Sequence, residues 1–549
     1  MWKNHRCETL HGYLLANQSA RWYTVLVSIM ATQASAITFL STPGQAYADG
    51  MRFVQFYFGL PFAMIVLAIT AVPLYHKLRV FTAYEFLEKR FDLKTRTFAT
   101  LLFLVSRGLS TGISIYATSL VLSVLLGWSL PLTNLVIGGL VVVYTTSGGS
   151  RAVNWTQSWQ FLIAIGGMIV ALVVIVRSLP EAVSLAGATR VADQLGRLNV
   201  VDFRFDLTNR YNFWSGLVGG FFLALAYFGA DQSQVGRYLG GRSVHESRLG
   251  LLINGLLKVP MQFFILFVGA MVFVFYQFVA PPVLFNPAPL QRLRSGPHAK
   301  ELLGIESRHR AAFEARRAAA ETFVWSGKGD DAASTIAGEA LRAADGSYAA
   351  VRAEAVALVK AHDLPADAND TNYVFLSFVL AHLPTGLVGL ILAVVFAASM
   401  SSNSAALNSL ASTSVVDVYV RLVRKNRKDS HYLAVSRIAT ALWGAFSIVV
   451  AMFANRVGTL IEAVNILGSL FYGTMLGIFL VAFYLPRIRG TPVFAGGIAG
   501  LTSVWACFAF TRLSYLWFNV VGCVVVIGVA LALNSSISST PRSSSPGPR

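Results

Sequence analysis

The sequence specifies an all-α polytopic membrane protein, and three observations carry that reading. The chain has 549 residues, 55% of them hydrophobic and only 13% charged, with a mean hydropathy of +0.60. Water-soluble domains do not have that composition. Apolar runs long enough to cross a bilayer recur along the whole length. Lys and Arg gather in alternate connecting loops rather than on one polar face, as the positive-inside rule requires. That placement removes the net charge of +18 as a nucleic-acid signal, so the expected partner is the lipid bilayer and not a polynucleotide. Cys7, Cys507 and Cys523 lie far apart and form neither a disulfide framework nor a cysteine metal site.

The candidate spans are 22–40, 52–74, 98–127, 131–147, 157–177, 213–235, 250–279, 386–413, 433–454, 460–485, 492–510 and 513–533, about twelve in all. Residues 373–383 are apolar but too short to cross, and read as a re-entrant or surface helix. The loop at 75–97 carries Lys77, Arg79, Lys89, Arg90, Lys94 and Arg96; 236–249 carries Arg237, Arg242 and Arg248; 414–431 carries Arg421, Arg424, Lys425, Arg427 and Lys428. All three fall on one side if the N-terminus is cytoplasmic, and both termini then lie inside. Residues 1–21 are polar, without the apolar core of a cleaved signal. Segments 178–212 and 280–372 are soluble insertions on the outer side. Within the second, 297–362 has helical spacing with a break at 327–331, which predicts a helical hairpin outside the membrane. The tail 534–549 is disordered by composition.

One stretch has chemistry of its own. Residues 397–409, AASMSSNSAALNS, interrupt an apolar helix with paired hydroxyls. Positions i, i+3 and i+4 share a helix face, so Ala398, Ser401 and Ser402 aim a carbonyl and two hydroxyls at one point. Three neutral oxygens at membrane depth suit a small hard cation; alone, the same residues equally suit close helix packing.

Other motifs resolve the choice. ATQASAITFLSTPGQAY (31–47), YTTSGGSRAVNWTQSWQ (144–160), ADQSQVGRYL (230–239) and LPTGLVGLILAVVFAASMSS (383–402) resemble the sodium:solute symporter family in order and spacing, over about residues 12–485. The likeness is closest in flavour to the sodium/iodide and sodium/monocarboxylate branch. It implies the LeuT-like fold: two five-helix inverted repeats, at 22–177 and 213–485, whose first helices break at mid-membrane, followed by accessory helices at 486–533. The residues agree, since Ala31–Ser35 interrupts the first helix and Gly229 and Asp231 the second. Members usually carry an extra helix ahead of the first repeat; here the polar residues 1–21 stand there.

The resemblance places sodium, the one cofactor ion expected, against the carbonyls of Ala31, Ala34 and Ala398 and the hydroxyls of Ser401 and Ser402. A second sodium in some members uses an Asp and a hydroxyl whose places here hold Gln157 and Ala405, which implies one sodium per cycle. The polar ring of the sugar branch is replaced by Ala224, Tyr57, Val464 and Leu60, which disfavours hexoses. The same matching gives Tyr227 as an aromatic gate, Lys258 as a tether in the seventh core helix, and Gln33 and Thr38 near the solute. Arg107, ten residues into a span, has a planar fork suited to a carboxylate, or it is paired with Asp231 or Glu462, or it snorkels to the interface. Glu462 and Asn465 are further candidates for the cavity. The expected function is sodium-coupled import of a small organic solute, not enzymatic: no HExxH is present, and His382 and Asp231 stand alone. A non-transporting sensor on the same core is the alternative, disfavoured because no soluble module follows Asn534. Neither reading calls for an obligatory protein partner.

Overall fold

The computed structural model describes residues 20–33, 35–78, 80, 82–326, 331–362, 370–425, 427–454 and 459–539, with Ala36, 147–158, Val394 and 537–539 described by backbone alone. Among these residues the regular structure is helical, apart from one isolated bridge between Ala20 and Gly241. In chain order the helices are α1 (Trp22–Gln33), α2 (Ala36–Asp49), α3 (Leu60–Ile69), α4 (Ala71–Leu78), α5 (Ala83–Arg90), α6 (Leu93–Leu126), α7 (Leu130–Arg177) and α8 (Leu185–Gln194). Then come α9 (Gly220–Gly229), α10 (Gln232–Leu239), α11 (Val244–Phe278), α12 (Pro287–Arg294), α13 (Ala299–Ser326), α14 (Asp331–His362) and α15 (Val374–His382). The chain closes with α16 (Thr385–Thr413), α17 (Asp429–Phe453), α18 (Leu460–Tyr484), α19 (Gly490–Phe510) and α20 (Tyr515–Ser539). A 3-10 segment, Gly50–Tyr57, follows α2; π-helical turns precede α9 at Ser215–Gly219 and extend α16 at Ser414–Val423.

Among the described residues nine helical segments are long and apolar enough to cross a bilayer. The remaining expected spans correspond to α1, Leu130–Thr146 and Ser215–Gly229, each too short to cross by itself. Two of those three belong to helices that are interrupted. One boundary differs from expectation: 131–147 and 157–177, expected as separate helices, lie on one α7 backbone that runs unbroken from Leu130 to Arg177. No proline lies between them, and Gly148 and Gly149 lower helix propensity without ending it.

Both expected breaks are present. α1 stops at Gln33 and α2 starts at Ala36, with Ser35 extended at φ −88° and ψ 177°. α9 stops at Gly229, and Asp231, extended at ψ 115°, caps α10 through a bond from the Ser233 amide. Backbone freed inside a bilayer must find partners. At the second break three tyrosines supply them: Tyr238 donates to the Phe228 carbonyl (3.0 Å), Tyr75 to Gly229 (2.8 Å) and Tyr84 to Ala230 (2.8 Å). At the first break Thr38 Oγ1 donates to the Gln33 carbonyl at 2.9 Å.

The repeats meet at close quarters where α9 begins. A Cβ on Gly216 would lie 2.0 Å from the Gln55 carbonyl oxygen, and one on Gly220 2.5 Å from that of Phe56. Only glycine permits that approach. α13 and α14 form the expected antiparallel hairpin; its turn lies outside the described residues. The two insertions touch each other, through Arg190 to Ser334 (3.0 Å) and Arg342 to the Gln194 carbonyl (3.1 Å). Arg316 fastens the hairpin to the bundle: it stacks on Tyr348 at 3.6 Å and donates to the Tyr276 carbonyl at 2.7 Å. Residues 374–382 form the expected short helix, with His382 packed edge-on against Phe275. At the far end of the bundle Asp417, fully buried, accepts from Arg96 (2.6 Å) and Thr82 (2.8 Å), and Arg96 also reaches Glu88 (2.6 Å).

Candidate functional site

The interruption of α1/α2 and of α9/α10 leaves a space between them that neither helix can fill. A cavity of about 180 Å³, measured as room for the centre of a water molecule, lies there. Its walls come from both broken helices, the 3-10 segment, α6, α11, α16 and α18. Gln33, Thr38, Tyr57, Arg107, Tyr227 and Lys258, singled out from sequence as solute contacts, all line it. Asn465 lines it too, whereas Glu462 does not: its carboxylate accepts from Arg210 (2.6 Å) and from the Tyr211 hydroxyl (3.1 Å) in the loop between α8 and α9. Glu462 lies in the first turn of α18, where its side chain meets the loop between α8 and α9 rather than the interior.

The cavity has two kinds of wall. Ile37, Phe56, Leu60, Leu223, Ala224, Ile461 and Val464 make one apolar. The other is built from Ser110, Thr111 and Ser114 on α6, Ser233 on α10, and Ser402 and Asn403 on α16. Arg107 sits in this polar wall and is paired with Asp231, the first of the two partners proposed for it. Its Nη2 donates to Asp231 Oδ2 at 2.5 Å and to Ser233 Oγ at 2.6 Å, and its guanidinium lies 5.5 Å from the centre of the Tyr227 ring. The Asp231 side chain is wholly buried and also accepts from the Tyr472 hydroxyl (2.8 Å) and the Ser233 hydroxyl (2.6 Å). A buried carboxylate with that many donors is fully satisfied. Arg107 Nε, buried as well, has no hydrogen-bond partner.

Tyr227 is positioned by Gln234, whose amide donates to its hydroxyl at 2.7 Å. Gln33 donates to Asn254 Oδ1 at 3.1 Å, which ties the end of α1 to α11 one turn before Lys258. Lys258 is 1% exposed and lies over the Tyr57 ring at 5.2 Å.

Beside this cavity the structure brings α1 against α16. Ser402 Oγ donates to the Ala31 carbonyl at 3.4 Å, the long limit of a hydrogen bond. Ser401 Oγ, one residue earlier, is buried and has no partner among the described residues. Ala398, one turn back, is buried on the same helix, and Ala34 lies outside the described residues. An orphaned hydroxyl, a loosely bonded one and a freed carbonyl, with no carboxylate among them, form a donor set of neutral oxygens. Hard cations such as sodium are held by oxygen ligands, so the set fits one. The second break offers no comparable carbonyls, since tyrosines occupy them. Ala405 is buried on α16, while the Gln157 side chain lies outside the described residues.

Sequence reasoning missed Tyr472, Asn254 and Asn403. Tyr472 sits in an apolar helix where it reads as a core aromatic, and nothing local marks its bond to a residue 241 positions away. Asn254 carried a signal, being polar inside an apolar span four residues before Lys258.

The profile of the sodium:solute symporter family matches residues 13–290 and 348–500. The human sodium/iodide cotransporter is 26% identical over 494 residues, 88% of this chain but 63% of that protein, so the chain spans less than two thirds of that relative. The sodium/sialic acid symporter SiaT of Proteus mirabilis is 25% identical over 528 residues, covering 95% of this chain and 89% of its own. A solved structure of a sodium-coupled sialic acid symporter, substrate-bound and outward-open, shares the fold with a TM-score of 0.73 at 22% identity, over 97% of this chain and 93% of that one.

Proposed function

This chain belongs to the sodium:solute symporter family, and from that premise we propose that it imports a small carboxylate-bearing solute, one sodium ion entering with each molecule. It is an integral membrane carrier and not an enzyme. The proposed setting is a bacterial-type inner membrane with both termini in the cytoplasm. The observation that carries the reading is the adjacency of two sites: Ser402 both lines the solute cavity and reaches the carbonyl of Ala31 on the broken helix.

Coupling follows from that adjacency. Sodium held by the carbonyls of Ala31, Ala34 and Ala398 and the hydroxyls of Ser401 and Ser402 fixes the end of α1. Gln33, at that end, and Thr38, which donates to the Gln33 carbonyl from across the break, are then set for the solute, so each ligand favours the other by the same factor. A site of neutral oxygens binds weakly enough to release its ion once the cavity opens inward. Alternating access then converts the sodium gradient into solute accumulation. Gln33, Thr38, Tyr57, Arg107, Tyr227 and Lys258 are the proposed solute contacts; the acid group of the solute is suggested by Lys258, which lines the cavity away from the Arg107–Asp231 pair, and by a relative that carries sialic acid.

The experiment is uptake into proteoliposomes of candidate carboxylates under a sodium or a potassium gradient. Sodium-driven accumulation that disappears in Ser401→Ala/Ser402→Ala supports the reading. Binding without flux would make the chain a sensor, and undiminished sodium dependence in the double variant would reject the site.

A further inference from the structure

We infer that residues 201–207, in the loop between α8 and α9, are a membrane-interface anchor: a pinned hoop whose apolar side chains enter the leaflet at that end of the bundle. The sequence predicts a soluble insertion over 178–212, and this part of it departs from that expectation. It reads Val201-Asp202-Phe203-Arg204-Phe205-Asp206-Leu207, strictly alternating apolar with charged. Such alternation sends one set of side chains to each side of an extended segment. Phe203 and Phe205 are 68% and 67% exposed, and Val201 and Leu207 are exposed with them. The charged set is satisfied close to home. Arg204 pairs with Asp202 through two bonds of 3.0 Å, and Asp206 accepts from the Thr208 amide (2.8 Å) and hydroxyl (2.7 Å).

The exposure is built in, because the hoop is pinned at its neck. Gln55, wholly buried, holds both ends: its Oε1 accepts from the Asp202 amide and its Nε2 donates to the Tyr211 carbonyl, each at 3.0 Å. The Phe213 amide donates to the Asp202 carbonyl at 2.8 Å, and the Trp214 indole donates to that of Phe203 at 3.0 Å. The neighbours fix the level of the hoop. Trp214 immediately precedes the apolar helix Ser215–Gly229, and Trp517 lies in the first turn of α20, which is long and apolar enough to cross a bilayer. Phe205 packs edge-on against both indoles, and the Ser514 amide donates to the Leu207 carbonyl at 2.9 Å. Tryptophans at the ends of spans mark the membrane–water interface. The patch also continues the exposed apolar surface of the neighbouring spans, since Phe518, next to Trp517, packs edge-on against the exposed Phe508 of α19. A rigid apolar patch is costly to leave in water, and that continuity makes the bilayer its cover.

The test uses the full-length chain in phospholipid vesicles. Phe205→Cys and Arg204→Cys carry an NBD label, and the unaltered chain, labelled in parallel, gives the background from Cys7, Cys507 and Cys523. Both replaced side chains are exposed, and an unchanged melting temperature shows that the variants fold. A label at Phe205→Cys should be quenched about twofold more by lipid with a doxyl group near the headgroup than near the chain end, as expected about 5–10 Å deep. Aqueous iodide should quench Arg204→Cys at least about twofold more strongly than Phe205→Cys. Illuminating the unaltered chain in vesicles of a diazirine-bearing phospholipid probes the same contact without substitution, and adducts should map to 201–207. Equal iodide quenching at the two positions, no lipid quenching at Phe205→Cys, or no adducts on the segment would each overturn the inference. Protection from iodide without lipid quenching would mean that a second copy or another protein covers the face, and would overturn it as well.

Discussion

Asn372 accepts the Ser41 hydroxyl at 2.9 Å, joining the segment between α14 and α15 to α2, the second half of the first broken helix. The same oxygen accepts from the Leu460 amide at 3.3 Å, and the Ile461 amide donates to Ser41 at 3.4 Å. Three elements, α2, the segment before α15 and the start of α18, are thus held at one buried amide. Arg352 ties this strap to the hairpin through Asp370 at 2.6 Å, and Asp370 also accepts from the Phe285 amide.

Removing that amide should loosen the outer face. Asn372→Ala leaves two buried donors unmet, a loss of about 1–3 kcal/mol. Ile461, which lines the cavity, serves as the reporter. An Ile461→Cys variant should react with a membrane-impermeant maleimide several times faster when Asn372→Ala is added. An unchanged labelling rate would mean that the strap does not control access.

The Arg107–Asp231 pair makes a prediction about coupling. Asp231→Asn strands a buried guanidinium and should cost about 3–5 kcal/mol, seen as a lowered melting temperature. Adding Arg107→Gln removes the uncompensated charge, so the double variant should be more stable than Asp231→Asn alone. Strictly additive losses in the four-member cycle would show that the two side chains are not energetically paired.

These residues also mark where the sequence was legible. The breaks at Ala31–Ser35 and at Gly229 and Asp231 could be read because small and polar residues interrupt apolar runs, a local signal. Ser401 and Ser402 were readable because helix periodicity alone places them with Ala398. The tyrosine caps on the second break were not: Tyr75, Tyr84 and Tyr238 look like core aromatics, and their purpose exists only once distant backbone is brought to them. The choice of Asp231 over Glu462 as partner to Arg107 was invisible for the same reason. Periodicity gives the face of a helix, but it does not say which distant carboxylate the fold delivers there.

The outer hairpin should weaken in acid. His309 is buried against Tyr348, with its ring nitrogen 2.8 Å from the hydroxyl. Burial, reinforced by the charges of Arg316 and Arg352, lowers its pKa from 6.5 to about 4. Between those values the unfolded hairpin binds a proton that the folded one refuses, so stability is full above pH 6.5 and falls as the pH drops toward 4. Amide protection factors in 331–362 should therefore decline between pH 7 and pH 5. His309→Gln, which cannot titrate, should flatten that decline; an equal decline in the variant would assign it to other groups.

Ser401 and Ser404 separate one sodium from two. Both hydroxyls are buried without partners on α16. Ser401 shares a face with Ala398 and lies beside Ser402, which reaches Ala31, whereas Ser404 is three residues further along and next to Ala405, the position whose hydroxyl is missing. If a single ion is bound, Ser401→Ala should weaken sodium affinity by about tenfold or more, the loss expected for one ligand. Ser404→Ala should leave both the affinity and the steepness of the sodium response as they were. Titrating sodium against solute uptake in the two variants provides the measurement. A response that is sigmoidal in the unaltered chain and becomes hyperbolic in Ser404→Ala would place a second ion at that hydroxyl and end the one-sodium cycle.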